Sequence, residues 1–178
     1  MNHTDHVSLI KKGVTPGGVW ADLGSGDGAF TLALRDVAGA DVEIYSIDQD
    51  GYRLKRQKEA FDFMFPDSNI HYLEQDFTSA LELPQLDGII MANSLHYVKD
   101  QTSYLQSLQN YLKPEAHLIL IEYNASLEEG NQWVPYPISF EWFQKLAQEA
   151  GFTPPTYLHG VPSQFLHEIY AAVTHIKV

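Results

Sequence analysis

The stretch VWADLGSGDGAFTLAL, Val19 to Leu34, constrains the fold of this 178-residue chain more than any other. An apolar run, Val19–Leu23, stops at glycines 24, 26 and 28, which alternate with Ser25 and Asp27. From Ala29 an apolar-rich segment follows. Glycine serves where the backbone turns through positive φ or must come close to a ligand. A strand, a tight glycine turn and a helix, in that order, read as the opening βα unit of an open α/β sheet.

The rest of the chain repeats that rhythm. Further short apolar runs read as strands at Val42–Ile47, Ile70–Glu74, Gly88–Ala92 and His117–Glu122. Helical patterns fall at Gly28–Ala38, Tyr52–Met64, Gln101–Leu112 and Phe140–Ala150. The last puts Phe143, Leu146, Ala147 and Ala150 on one face, with Ser139 placed to cap its start and Gly151 its end. Strands that alternate with helices imply right-handed βαβ units around a parallel sheet covered on both faces. After Gly151 two β-like runs, near Thr156–His159 and Leu166–Thr174, leave no room for a helix between them, so they predict an antiparallel pair. The expectation is an α/β, Rossmann-like, doubly wound and mostly parallel seven-stranded sheet. Helices cover both faces, and residues 1–178 form a single domain that ends in the antiparallel strand pair. A short helix at Thr78–Leu81 and another within MNHTDHVSLIKK, residues 1–15 acting as a lid over the ligand, complete the expectation.

Composition removes several function classes. Apolar residues make up 44%, enough for a packed core. No apolar run reaches the roughly 18 residues of a membrane span. The N-terminal stretch carries charge where a secretion signal needs an apolar centre, which predicts a cytoplasmic protein. There is no cysteine, and so no disulfide, thiolate nucleophile or cysteine metal site. The eight histidines form no metal-ligand motif, so no metal is expected. A net charge of −12 disfavours nucleic acid and anionic membrane. The one basic cluster, Arg53, Lys55, Arg56 and Lys58, reads as a solvated helix face.

The glycine loop alone leaves two ligands open. Gly24, Gly26 and Ala29 satisfy G-x-G-x-x-G/A, the dinucleotide pattern. Yet Asp27 stands at the helix N-terminus, where a pyrophosphate would sit, with no Arg or Lys in the loop to offset it. Asp22 adds further negative charge. An adenosine ligand carrying a cation in place of phosphates suits these carboxylates. Asp48 ends the second strand 20 residues past Gly28, where an acid accepts hydrogen bonds from ribose hydroxyls. Capping of the next helix is the alternative.

Here the chain resembles the class I S-adenosylmethionine-dependent methyltransferases, from about Lys12 to its end. ADLGSGDG is similar to the family's first motif, IYSIDQD to the second strand with its acid, and LEQDF to the third. LDGIIMANSLHYV is similar to the fourth strand and the segment beneath the ligand. YLKPEAHLILIEY is similar to the passage into the fifth strand, with Glu115 and Ala116 where the family commonly has glycine. The resemblance implies that Asp22, Gly24, Ser25, Gly26, Asp27, Gly28, Asp48 and Gln49 bind S-adenosyl-L-methionine, and S-adenosyl-L-homocysteine as product. It implies the same for Asp76, Phe77, Asn93 and Leu95, with Asp76 on the adenine amino group and Phe77 beside the ring. It also implies in-line methyl transfer to a small-molecule acceptor and allows a homodimer. His96, just past the fourth strand, is the candidate general base, with Tyr136 second and a packing histidine as the alternative. Residues 123–139, with Trp133, Tyr136 and two prolines, read as a specificity loop. An inactive cofactor-binding domain and a nicotinamide-dependent oxidoreductase are the rival readings.

Overall fold

The computed structural model describes residues 1–177. Val19–Leu23 (β1), Glu43–Asp48 (β2), Asn69–Glu74 (β3), Leu86–Ala92 (β4), Leu112–Tyr123 (β5), Thr156–Pro162 (β6) and Glu168–His175 (β7) form one sheet. Its order is β3-β2-β1-β4-β5-β7-β6. β1 to β5 pair in parallel, and β7 runs antiparallel to β5 and β6. The expected doubly wound sheet and its antiparallel end are both present.

The strands form where apolar residues need cover on two sides. On one face Trp20, Ile44 and Ile90 pack with Leu9 and Ile10 of His3–Ile10 (α1) and Phe30, Ala33 and Leu34 of Ala29–Ala38 (α2). On the other, Ala21, Leu23 and Ile89 pack with Leu105 and Leu108 of Gln101–Leu108 (α4) and Phe143, Leu146 and Ala147 of Phe140–Glu149 (α5). Gly51–Met64 (α3) joins α2, because Ser46, on the same side of β2 as Ile44, bonds to Gln57 of α3. Full burial of each such Leu or Phe contributes about 1.5–3 kcal/mol. The Ser139 hydroxyl caps α5 by accepting from the Trp142 amide at 3.1 Å, and Gly151 follows at φ +86°.

Three expectations change. Residues 78–81 make a turn, not a helix: the Asp76 side chain accepts from both the Thr78 amide and hydroxyl, and the backbone goes no further round. The helix from Gln101 ends at Leu108 and passes through a 3-10 turn, because Pro114 forces the residue before it towards extended backbone and Leu112 already pairs with Leu86. Glu115, at a family glycine position, adopts φ +63°. Third, the N-terminal helix forms, capped by Asn2, but packs on α2 and β6. Leu9 and Ile10 are fully buried there, and no residue of α1 lines the cleft described below, so the helix is not placed as a lid. Among the described residues no helix is long and apolar enough to cross a membrane.

Candidate active site

β1 and β4 lie side by side, but the chain leaves them towards opposite edges of the sheet. Such a switch point opens a crevice beyond the strand carboxyl ends. A cleft of about 620 Å³ occupies it. Of the predicted site residues, Gly24, Asp48, Gln49, Asp76, Phe77 and Asn93 line this cleft. Ser94, which leaves the fourth strand beside Asn93, lines it as well, and so do Asp50, Arg53 and Tyr97, which sequence reading did not place in the site. Thr78 does too, being drawn in by the Asp76 turn.

The loop's backbone explains two of its glycines. Gly24 has φ +79°, and a Cβ there would lie 2.6 Å from Cβ of Ser94. Gly28 has φ +81° at the N-cap of α2, and its Cβ would run into the Gln57 side chain. The loop is then held from β2. Gly24 and Ser25 amides donate to the Ile47 carbonyl, at 2.9 and 3.0 Å. Asp48 Oδ2 accepts from the Gly26 amide at 2.8 Å, and Oδ1 from the Asp50 amide at 2.9 Å. Each carboxylate oxygen retains a second lone-pair site, so Asp48 braces the loop and still offers acceptors to the cleft. Capping of α3 falls instead to Asp50, which accepts from the Tyr52 and Arg53 amides.

Asp27 departs from expectation. It is exposed, forms an ion pair with Arg56 of α3, and does not line the cleft. Its charge is therefore offset from outside the loop, and the repulsion argued from the sequence is lost. Asp22 lies below the loop and is 1% exposed. Its Oδ2 accepts from the Thr31 hydroxyl at 2.6 Å and its Oδ1 has no partner. Burial pushes its carboxyl up to about 7; the Thr31 bond opposes this and the charge of Asp48 adds to it. Leu95 is a core residue packed among apolar neighbours, and it does not face the cleft.

Past β4 the chain makes a 3-10 turn at Leu95–Tyr97. Asn93 enters it at φ +51°, its amide donating to the Ile121 carbonyl and its Oδ1 buried without a partner. The Ser94 hydroxyl donates to the Leu23 carbonyl at 2.7 Å, joining the ends of β4 and β1. His96 is 2% exposed, and its Nδ1 lies 2.7 Å from Oε2 of Glu122, which is 0% exposed one residue before the end of β5. The His96 amide donates to Oε1 of the same carboxylate at 3.2 Å. A carboxylate acceptor fixes the proton on Nδ1 and leaves Nε2 with its lone pair. Nε2 is buried and has no partner. Tyr97 lays its ring against the imidazole at 4.4 Å and lines the cleft beyond it. Tyr136 meets His96 through its main chain, its amide donating to the His96 carbonyl at 3.0 Å, and does not line the cleft.

The segment 123–139 and the β6–β7 turn meet at this edge. The Asn124 amide donates to the Glu168 carbonyl, and its side chain accepts from the Phe140 amide. Tyr123 packs edge-on to Phe165 at 5.6 Å, and His167 pairs with Glu129. Among the described residues, no grouping of three or more His, Cys, Asp or Glu side chains could hold a metal ion.

A family profile described as a methyltransferase domain matches residues 15–153. The chain belongs to this methyltransferase family. The domain is 28% identical over 129 residues to 2-phytyl-1,4-naphtoquinone methyltransferase of Trichormus variabilis, covering 68% of this chain and 55% of that protein. It is 28% identical over 138 residues to the ubiquinone/menaquinone biosynthesis C-methyltransferase UbiE of Shewanella oneidensis, covering 76% and 55%. The chain spans about half the length of these curated relatives. The methyltransferase fold is shared with a SAM-dependent methyltransferase from Aquifex aeolicus, with a TM-score of 0.69 at 18% identity, covering 97% of this chain and 98% of that one.

Glu122 is a further site residue that sequence reading missed. Its one signal was an acid closing the otherwise apolar run LILI at a strand's carboxyl end.

Proposed function

We propose that this domain transfers the methyl group of S-adenosyl-L-methionine to a small acceptor bearing an acidic hydroxyl on an aromatic or enolic ring, in the cytoplasm. The observation that carries the reading is the buried His96–Glu122 pair, 2.7 Å apart, packed against Tyr97, which lines the cleft. The residues fit the cofactor. Asp48 offers acceptors for ribose hydroxyls and Asp76 has one carboxylate oxygen uncommitted for the adenine amino group. The buried, unpartnered Oδ1 atoms of Asp22, in β1 beneath the loop, and of Asn93, just past β4, suit a cationic methionine end. The names of the quinone methyltransferases support a ring acceptor for this chain.

Bound there, the cofactor supplies a methyl carbon already activated on a positively charged sulfur. The domain must align the acceptor with it and exclude water. His96 Nε2 takes the acceptor's O–H proton, and Glu122 stabilises the imidazolium that results. With the cofactor bound, the methyl carbon would bond to that oxygen or to the conjugated ring carbon, and the sulfur would keep the electron pair of the S–C bond that breaks. His96 does not itself line the cleft and its Nε2 is buried, so the acceptor reaches it only after a side-chain movement, for which Tyr97, 56% exposed and packed on the imidazole, is the candidate.

Calorimetry with S-adenosylhomocysteine and NAD, followed by labelled-methyl transfer to naphthols and hydroquinones, tests this. Binding of the first and not the second is expected. His96→Gln should keep cofactor affinity and lower turnover by ~10²–10⁴. Tight NAD binding alone would end the reading, and a fully active His96→Gln would end the base assignment.

A further inference from the structure

Beneath the glycine loop runs a line of buried polar side chains that the catalytic reading does not use. The Thr31 hydroxyl of α2 donates to Asp22 Oδ2 at 2.6 Å. Gln57 of α3 donates through Nε2 to Thr31 Oγ1 at 2.6 Å. Ser46 of β2 bonds to Gln57 Oε1 at 2.8 Å and to Ser25 Oγ of the loop at 2.8 Å. Thr31, Ser46 and Gln57 are each 0% exposed. A fully buried glutamine is uncommon, and here both ends of its amide are used.

The donor directions are determined. Thr31 gives its one proton to Asp22 Oδ2. Thr31 must then accept from Gln57, which puts Nε2 on that side and Oε1 towards Ser46. Oε1 only accepts, so Ser46 gives it its one proton and itself accepts from Ser25. Every proton points from the loop to Asp22.

Gln57 also touches the loop at its far end, since a Cβ on Gly28 would strike its side chain. One amide therefore reaches Ser25 through Ser46 and abuts Gly28 directly. Apolar side chains would fill this space with less desolvation, so the polar line is explained by what it holds in place. We infer that Gln57 and Thr31 are positioning residues, which set the conformation of the 24–28 loop for the cofactor and orient Asp22 beneath it. This rests on the reading of that loop as the cofactor floor.

The test compares Thr31→Val and Gln57→Leu, which keep shape and remove the bonds, with Thr31→Ser, which keeps the hydroxyl. S-adenosylhomocysteine affinity is measured by calorimetry, beside thermal melts of the same preparations. The two apolar variants should each weaken binding about tenfold. Thr31→Ser should rescue it to within about twofold, and the double apolar variant should lose little more than the worse single, because both cut one chain. Apolar variants that melt lower yet bind within twofold of wild type would overturn the inference and make the line purely structural. Wild type that does not bind S-adenosylhomocysteine would instead overturn the functional reading, and this inference with it. Should Gln57→Leu fail to fold, Thr31→Val against Thr31→Ser decides alone.

Discussion

Replacing Asp22 by Asn separates the burial of a carboxyl group from the burial of its charge. The side chains have the same shape, and the Asn carbonyl still accepts from Thr31. Asp22 titrates at about 7 in the folded protein against 3.8 for the free group, chiefly through burial. The folded state therefore holds this proton more tightly than the unfolded chain does. That advantage is fully present below about pH 4 and is lost as pH rises through 7. Stability declines at ~1.4 kcal/mol per pH unit across the roughly three units between, ~4 kcal/mol in all. The amide introduced by Asp22→Asn does not ionise. The variant should match wild type near pH 4 and exceed it by ~4 kcal/mol at pH 8. At about 2–4 °C per kcal/mol for a domain of this size, the gap in melting temperature should open to ~8–16 °C. Melts followed by circular dichroism from pH 4 to 8, at fixed ionic strength and without cofactor, measure it. A gap that stays constant over that range would refute the reasoning.

Three further outcomes are expected. Asp48→Ala, which removes acceptors from both the cleft and the Gly26 amide, should weaken S-adenosylhomocysteine binding by about 1.5–3 kcal/mol in calorimetry, with the far-ultraviolet spectrum kept; an unchanged dissociation constant would leave it only a loop brace. Glu122→Gln should lower turnover by ~10–100-fold, the loss of one charge-assisted bond to His96, with cofactor affinity within twofold; equal turnover in a labelled-methyl assay would show that Glu122 merely fills space. Gly28→Ala puts a Cβ at φ +81° against Gln57 and should destabilise by ~1–3 kcal/mol, seen as a lower melting temperature; a melt unchanged from wild type would contradict the cradle geometry.

The fold was legible because its signals are local. Apolar runs, Ser139 before a helix and Gly151 after it each act within a few residues, and Asp48 and Asp76 announce themselves as acids ending strands. What escaped the sequence is carried by side chains far apart in the chain. Arg56 neutralises Asp27 from 29 residues away, and only the packing of α3 beside the loop brings them together. Glu122 reads as one polar residue in an apolar strand until parallel pairing of Ala92 with Ile121 sets it under His96, 26 residues earlier. Gln57 looks like any polar helix residue, although Leu54 and Phe61, three before and four after it, mark the buried face of α3 on which it lies. The N-terminal helix was legible as a helix but not in its docking: Leu9 and Ile10 mark an apolar face, not which surface receives it.

The site is divided along the switch point, and the division bears on how such a domain diversifies. The glycine loop, Asp48 and Asp76 all belong to the β1–β3 half. Segment 123–139 and the β6–β7 turn belong to the other half, and Asn124 staples them to Glu168 and Phe140 through backbone groups that any sequence supplies on their side. Surface connections of this kind accept insertions and substitutions at little cost to the core. A longer connection, or an exchanged Phe165, would reshape this edge of the sheet and leave the glycine loop, Asp48 and Asp76 untouched.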